Sequence, residues 1–325
     1  MKILSHQEVA QLLPISEAIK VVHDAMIGVS AGQATLPLRT AIPVGGGNMM
    51  GVMPGAVSDP ACFGVKLVSL FPGNPAQGLS SHRGAMVLFE AETGGAIAMM
   101  DASLLTAIRT AAASAVATDV LARKDATKLA LIGTGEQAFH HLNAMQCMRD
   151  LDDVLVVGRS LEKAETFAET ARARFPGLTI RSGTSVQAAV ASADIVCTVT
   201  AAKTPILSGA WITPGSHLNI VGSSIPSMRE VDDDVVFRSD IWVDYLPSTL
   251  AQAGEIVDLI KANLLNASDL KGEIGPVLDG SAKGRETPEQ ITLYRSLGVA
   301  AQDLAAAHYV YEAAIAAGIG QDVSF

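Results

Sequence analysis

The sequence is poor in aromatic residues and in cysteine. Aromatic residues make up 4% of the 325 residues, which leaves little material for the stacking platforms that hold unpaired bases. The three cysteines, Cys62, Cys147 and Cys197, are far apart and odd in number. Neither a disulfide framework nor a metal site is therefore predicted, and this cysteine usage is typical of a reducing compartment.

The sequence also lacks a surplus of positive charge and a long apolar run. Its formal net charge of −10 argues against binding to a phosphate backbone or to an anionic membrane surface. No uncharged apolar run reaches the ~18 residues of a membrane span. Polar residues at 6–8 interrupt any signal-peptide core. We expect a cytoplasmic protein with no nucleic-acid or membrane partner.

Aliphatic residues punctuated by glycine dominate the composition, with 49% apolar residues and 29 glycines. The length predicts two domains. Over residues 36–100, short β-type runs alternate with breaks, and Gly94-Gly95 indicates a hairpin, so an antiparallel module is predicted. From residue 128 onward, strands alternate with helices, which predicts an α/β fold with a doubly wound parallel sheet.

Periodicity also gives the individual elements. Helices are predicted over 5–30, 104–121, 136–148, 160–174, 185–192 and 287–317, and the strands of the parallel sheet over 128–133, 153–158, 178–183, 193–200, 217–222 and 241–245. Thr287 and Pro288 favour the start of the last helix, as N-cap and first helical residue.

The clearest motif is LALIGTGEQA, in which Gly133, Gly135 and Ala138 form a GxGxxA pattern between a strand and a helix. The first glycine permits a tight turn, the second lets backbone approach a pyrophosphate, and the small third residue lets the helix pack closely. The pattern predicts a dinucleotide site at the helix N-terminus. The alternative is a glycine-rich turn in an unrelated doubly wound fold.

The end of the next strand bears on the choice of nucleotide. NAD enzymes usually carry an acid there for the ribose hydroxyls, but none is present. Arg159, Ser160 and Lys163 suit a 2′-phosphate instead, so NADPH is the expected cofactor, with NADH possible. The alternative is a solvated start of a helix.

Three cations, Arg39, Lys66 and Arg109, lie in apolar or small-residue surroundings. A lysine within a β-branched run is costly to bury without a partner, and arginine matches a carboxylate. The three could together hold a small carboxylate substrate, although each alone could also be a surface cation. His82 is either part of such a site or a structural histidine.

Assembled, the chain resembles the ornithine cyclodeaminase/mu-crystallin family nearly end to end. The motifs that carry the resemblance are VMPG (52–55), GVKLVS (64–69), SSH (80–82), DASLLTAIRTAAASAVA (101–117), GTGEQA (133–138), PGSHLNIVGS (214–223), AGE (253–255), GRETPEQITLYRSLG (284–298) and AAQDLAAA (300–307). The resemblance implies a substrate-binding and dimerisation domain over 1–116 and 299–325, a Rossmann domain over 117–298, and a homodimer.

The resemblance also implies roles for individual residues. Arg39, Lys66 and Arg109 fall on the family's substrate-carboxylate positions, with Met53 assigned to the same site. Gly133, Gly135 and Ala138 fall on the family's phosphate loop. With the residues at the end of the second strand, the full set of expected cofactor residues is Gly133, Gly135, Glu136, Gln137, Ala138, Arg159, Ser160, Lys163, Thr200, Gly222 and Ser223. Lys66 and Ser224 are the candidate catalytic residues.

One departure separates the possible activities. Cyclodeaminases resemble each other in an aspartate that faces the substrate amine, and Ser224 stands in its place here. A serine cannot serve as that base at neutral pH. We therefore expect an NAD(P)H-dependent reductase of Δ1-pyrroline-2-carboxylate or its six-membered homologue. The alternatives are ornithine cyclodeaminase, an alanine-dehydrogenase-like deaminase, a hydroxyproline dehydratase and a non-catalytic NADPH-binding crystallin.

Overall fold

The structure, a computed structural model, describes residues 1–324, and its chain divides into two units. Unit 1 comprises Met1–Ala112 and the C-terminal segment from Gly298, and unit 2 comprises Ala113–Leu297. The division lies four residues before the first boundary expected from the sequence and one residue before the second. The functional labels of the two domains stay predictions.

The strands and helices follow one another through both units. The strands are β1 (Lys2–Leu4), β2 (Ala34–Thr35), β3 (Thr40–Gly45), β4 (Asn48–Ser58), β5 (Ala61–Leu70), β6 (His82–Glu90), β7 (Ala96–Asp101), β8 (Lys128–Ile132), β9 (Asp153–Val157), β10 (Thr179–Gly183), β11 (Ile195–Thr198), β12 (His217–Ile220), β13 (Asp240–Val243), β14 (Gly272–Glu273), β15 (Thr292–Arg295) and β16 (Gln321–Asp322). The helices are α1 (His6–Leu12), α2 (Ile15–Ser30), α3 (Ala102–Leu121), α4 (Glu136–Met148), α5 (Leu161–Arg174), α6 (Val186–Val190), α7 (Asp233–Arg238), α8 (Leu246–Gln252), α9 (Gly254–Lys261), α10 (Gly275–Leu278) and α11 (Ala300–Ala317).

Unit 1 is a mixed sheet with the order β16-β1-β7-β6-β5-β4-β2, and β3 pairs with β4. The strands from β4 to β7 are antiparallel, as predicted, whereas β1 runs parallel to β7. Helix α11 packs on one face of this sheet above the paired glycines Gly55 and Gly64. A Cβ atom at Gly55 would lie 2.9 Å from Ala300 Cβ, so the glycine permits the close approach of α11.

Unit 2 is a parallel sheet with the order β10-β9-β8-β11-β12-β15-β13-β14. From β8 the sheet extends in two directions: β9 and β10 lie on one side, and β11 and β12 lie on the other. The predicted α/β fold with a doubly wound Rossmann sheet is therefore confirmed. The carboxyl ends of β8 and β11 form the point at which the strand order reverses. Ligands of such sheets bind at this edge.

The helix predicted over 287–317 is wrong over residues 287–299. Residues 292–295 form β15, which is buried in the sheet between β12 and β13, and the helix begins only at Ala300. A short apolar run that is buried on both faces has no periodicity that separates strand from helix. The helix over 5–30 is also interrupted, because Pro14 disfavours helical backbone at Leu13.

Helix α3 is long and apolar enough to cross a membrane, judged by length and composition only. However, 83% of its most apolar window is buried within the structure. Arg109 and Ser114 lie on this helix among buried alanines. The apolar character of α3 is thus that of a core helix.

Candidate functional site

Lys66 lies in the middle of β5 and is buried, with 2% of its side chain exposed. It is therefore not the surface cation that the sequence left as an alternative. Its Nζ atom lies 2.8 Å from the Oδ2 atom of Asp303, which is fully buried on α11. This carboxylate compensates the cost of burying the ammonium group.

Arg109 contacts the same carboxylate from α3. Its Nε atom donates to Asp303 Oδ1 at 2.8 Å, and its Nη1 atom donates to Gln302 Oε1 at 2.8 Å. The guanidinium group lies directly against Gly298, where a Cβ atom would be 2.4 Å from Nη1. Gly298 also has a φ of +76°, so both the close approach and the backbone favour glycine.

Arg39 and Met53 complete the group of predicted substrate residues in unit 1. Arg39 is half-buried, and its Nη2 atom donates to the carbonyl oxygen of Gly298 at 2.6 Å. Met53 is buried on β4 directly opposite Lys66. The structure thus brings the four predicted residues into one neighbourhood: Lys66 and Arg109 contact Asp303, Met53 lies opposite Lys66, and the charge of Arg39 acts on Lys66.

The environment lowers the pKa of Lys66 to about 7. Burial is the main cause, the charge of Arg109 adds to it, and Asp303 opposes both. Burial alone would raise the pKa of Asp303, but Arg109 and Lys66 hold it below its ordinary value. Lys66 can therefore take up or release a proton near neutral pH, as a general acid or base requires.

His82 lies on β6 within the electrostatic influence of this cluster. Its pKa is lowered by desolvation and by the positive charges of Lys66 and Arg109, although the residue is exposed to solvent. Its Nδ1 atom lies 3.0 Å from Ser81 Oγ. These effects favour the neutral form of the His82 imidazole.

Three members of the cluster, Asp303, Gln302 and Gly298, were not predicted from the sequence. Their segments were noted as motifs, YRSLG and AAQDLAAA, but were given no role. A signal was present, since one acid and one amide interrupt a run of alanines. A polar residue in such a run needs a partner if the helix is buried.

The glycine-rich turn of unit 2 connects β8 to α4. Gly133 has a φ of +129°, and a Cβ atom there would lie 2.9 Å from the carbonyl oxygen of Val199. Gly135 is the N-cap of α4 and has no side chain that could accept a capping hydrogen bond. The space around its Cβ position is open. Ala138 is fully buried, so α4 packs closely on the sheet. A helix N-terminus that begins at a glycine N-cap with open space around it fits the pyrophosphate of a dinucleotide.

The other predicted nucleotide residues lie on the same edge of this sheet, because they follow parallel strands. Glu136 and Gln137 are in the first turn of α4. After β9, Arg159 and Lys163 are exposed, whereas the Ser160 hydroxyl accepts from Lys163 N at 3.4 Å and caps α5. Ser160 therefore has a structural role, and the positive charge after β9 comes from the exposed side chains of Arg159 and Lys163.

The turns after β11 and β12 hold Thr200 and the segment Gly222–Ser224. Thr200 and Gly222 both donate to the carboxylate of Glu230. Ser223 is fully buried, and its hydroxyl accepts from Arg295 at 2.9 Å, so this hydroxyl already has a partner in the protein. Ser224 is half-buried. In residues 1–324, no group of three or more His, Cys, Asp or Glu side chains could hold a metal ion.

Comparison with known proteins gives matches over the whole length. The chain is 33% identical over 327 residues to a Δ1-pyrroline-2-carboxylate reductase of Bacillus cereus, covering 100% of both proteins. It is 35% identical over 282 residues to the ketimine reductase mu-crystallin of Mus musculus, covering 86% of both. The solved structure of Thermococcus litoralis Δ1-pyrroline-2-carboxylate reductase with NADH and L-proline superposes with a TM-score of 0.95. It is 34% identical, and the match covers 99% of this chain and 100% of that one.

The family-level comparison agrees with these individual matches. The sequence profile of the ornithine cyclodeaminase/mu-crystallin family matches residues 1–318. The resemblance inferred from the motifs is thereby confirmed. This chain belongs to the ornithine cyclodeaminase/mu-crystallin family.

Proposed function

We propose that this protein reduces a cyclic imino acid, Δ1-pyrroline-2-carboxylate or its six-membered homologue, to L-proline or L-pipecolate. The observation that carries the proposal is the pair of buried cations Lys66 and Arg109 on one buried carboxylate, Asp303, with the positive charge of Arg39 acting on Lys66. The similarity to pyrroline-2-carboxylate and ketimine reductases over most or all of the chain supports it.

The first role of the cluster is to bind the carboxylate of the substrate. Asp303 carries one negative charge and contacts both Arg109 and Lys66, so these three groups retain a net positive charge while Lys66 is protonated. A buried surplus of this kind favours an anionic ligand, since charge-assisted hydrogen bonds are the strong ones. Asp303 and Gln302 fix the Arg109 guanidinium before the substrate arrives, which reduces the cost of ordering it.

The second role is proton delivery. Reduction of the C=N bond leaves the ring nitrogen in need of one proton. Lys66, with a pKa of about 7, can supply it from Nζ at neutral pH, and the substrate carboxylate stabilises its protonated form. When bound, a nicotinamide nucleotide supplies the two electrons and the hydrogen that reduce the imine carbon.

The nucleotide is proposed to be NADPH in preference to NADH. Arg159 and Lys163 are exposed beside the end of β9, where they can bind a 2′-phosphate. An arginine binds such a group bidentately. Ser160 contributes by capping α5 and so by fixing the segment that carries Arg159.

Ser224 supports reduction over cyclodeamination. Cyclodeamination must deprotonate an ammonium group and expel ammonia, which requires a base near the substrate nitrogen. A hydroxyl at position 224 cannot act as this base, but a water molecule held by it can still pass on a proton.

The protein is further proposed to be a cytoplasmic homodimer. The face of the unit 1 sheet opposite to Lys66 carries Phe63, Val65, Val87, Phe89 and Met99, all exposed or half-buried. Phe63 and Phe89 stack with their ring centroids 5.1 Å apart. A second copy of the chain would cover this apolar face. The cysteines at 62, 147 and 197 are free, which fits a reducing compartment.

The decisive experiment measures NADPH oxidation with Δ1-pyrroline-2-carboxylate and with Δ1-piperideine-2-carboxylate. Parallel assays test release of proline and ammonia from ornithine with NAD, and NAD reduction by L-alanine. We expect turnover of at least one cyclic imino acid and none of ornithine. Robust ornithine cyclodeamination, or alanine oxidation without imine reduction, would overturn the proposal.

A further inference from the structure

Glu230 is a fully buried carboxylate that accepts hydrogen bonds from four donors. Thr198 Oγ1 at 2.9 Å and Gly222 N at 2.6 Å donate to Oε2. Thr200 donates to Oε1 through both its backbone N, at 2.8 Å, and its Oγ1, at 2.7 Å. No role for Glu230 was predicted from the sequence.

The four donors belong to the ends of two neighbouring parallel strands. Thr198 is the last residue of β11 and Thr200 follows it, whereas Gly222 lies two residues after β12. Two of these residues, Thr200 and Gly222, are among the cofactor residues expected from the sequence. A single carboxylate therefore ties together the two turns that would carry those contacts.

The turn after β11 is also packed tightly between glycines. A Cβ atom at Gly222 would lie 2.1 Å from Thr200 O and 2.6 Å from Glu230 Oε1. On the other side, a Cβ atom at Gly133 would lie 2.9 Å from Val199 O. Movement of this turn would consequently displace the glycine-rich turn that follows β8.

Each carboxylate oxygen of Glu230 accepts from one backbone N–H group, that of Thr200 on Oε1 and that of Gly222 on Oε2, so the site needs an acceptor on both sides. A carboxylate meets both N–H groups, whereas a glutamine would direct its NH2 group at one of them. Burial without a compensating cation is costly, and burial raises the pKa of Glu230, while the bonds from Thr200, Thr198 and Gly222 oppose that rise. A carboxyl group buried at this cost points to a function beyond folding.

We propose that Glu230 is a positioning residue for the nicotinamide nucleotide, which fixes the Val199–Thr200 and Gly222 turns in the arrangement that binds it. The inference rests on the proposed nucleotide binding. Glu230 acts through its donors and needs no contact with the ligand.

The test compares NADPH dissociation constants of the purified full-length protein, measured by titration of NADPH fluorescence. Glu230→Gln should weaken NADPH binding by about ten- to a hundredfold, the loss expected for hydrogen bonds to a charged acceptor. Thr198→Val removes one donor and keeps the shape of the side chain. Thr198 is itself fully buried on β11, so a severalfold weakening would act through Glu230.

The matched control is Asp232→Asn, two residues further along the same segment. Asp232 also accepts two backbone N–H bonds, from Gly209 at 2.9 Å and Val235 at 3.1 Å, but neither residue belongs to the nucleotide edge. Both bonds end on Oδ1, which asparagine retains, so the control removes the charge of a carboxylate in the same segment and should leave the NADPH dissociation constant unchanged.

The outcomes separate this inference from the proposed function. Wild-type protein that binds neither NADPH nor NADH would overturn the proposed function. Wild-type binding with an unchanged dissociation constant in Glu230→Gln would overturn the positioning role, as would equal weakening in Asp232→Asn. If Glu230→Gln does not fold, Thr198→Val decides, and unchanged NADPH binding in that variant would refute the role.

Discussion

Asp303 is the carboxylate that both Lys66 and Arg109 contact, and Asp303→Asn tests how far the cluster depends on it. Asparagine keeps the shape of the side chain and removes its charge. The two cations, with 2% and 5% of their side chains exposed, then face each other without the anion that holds them. Both the stability and the protonation of the cluster should change.

The size of the effect follows from the burial of the two ion pairs. Removing one partner of a buried pair costs about 3–5 kcal/mol. We expect a destabilisation in this range and not the sum of two such costs, because Lys66 can become neutral by losing its proton, whereas Arg109 stays charged. At about 2–4 °C per kcal/mol, the melting temperature should fall by about 6–20 °C. Because Asp303 raises the pKa of Lys66, its loss should move that pKa below about 7.

Two measurements check this prediction: thermal unfolding, and the pH dependence of kcat/KM for the imino acid. If protonated Lys66 is the active form, Asp303→Asn should shift the alkaline limb to lower pH. The control is Asp322→Asn, which breaks a surface pair with Lys2 in which Asp322 is 78% exposed, and should change neither quantity appreciably. The reasoning is refuted if Asp303→Asn unfolds at the temperature of the control and keeps the wild-type pH profile.

Three further predictions concern single residues. The pKa of Lys66 in the folded protein, about 7, lies below its ordinary value of 10.5, so the unfolded chain binds more protons than the folded one between these two pH values. The free energy of unfolding should therefore rise with pH across this window. Lys66→Met should abolish that rise, as measured by denaturant titrations at several pH values. Arg159→Ala should reduce the preference for NADPH over NADH by about ten- to a hundredfold in kcat/KM, and a wild type that prefers NADH would contradict the assignment. Ser224→Ala should keep reductase turnover within about a hundredfold of wild type, and complete loss would show that the serine is indispensable.

The parallel sheet could be predicted from the sequence because its signals are local. The predicted helix over 136–148 matches α4, and the strands on either side match β8 and β9 to within one residue. Each of these elements carries its own periodicity and is bounded by glycine or polar residues. β15 could not be predicted in this way, since its four residues are all buried and show no alternation.

The cations of the site were also visible in the sequence. Lys66 interrupts a β-branched run and Arg109 an alanine-rich helix, so each stands out against its neighbours. Their common partner did not stand out in the same way, because Asp303 lies 237 residues from Lys66 and 194 from Arg109. Residues 300–307 are buried on all sides, so no polar face of α11 distinguishes Asp303 from a surface acid.

Charge balance can identify the carboxylate partners of buried cations from the sequence. Two cations predicted to be buried require at least one carboxylate in equally apolar surroundings, because an unpaired buried charge is too costly to keep. Asp303, within AAQDLAAA, meets this requirement. The same argument fails for Glu230, whose partners are hydroxyl and backbone N–H groups and not cations. A carboxylate that is held by neutral donors leaves no matching charge in the sequence, so its role becomes visible only when the strand ends that supply those donors are brought together by the fold.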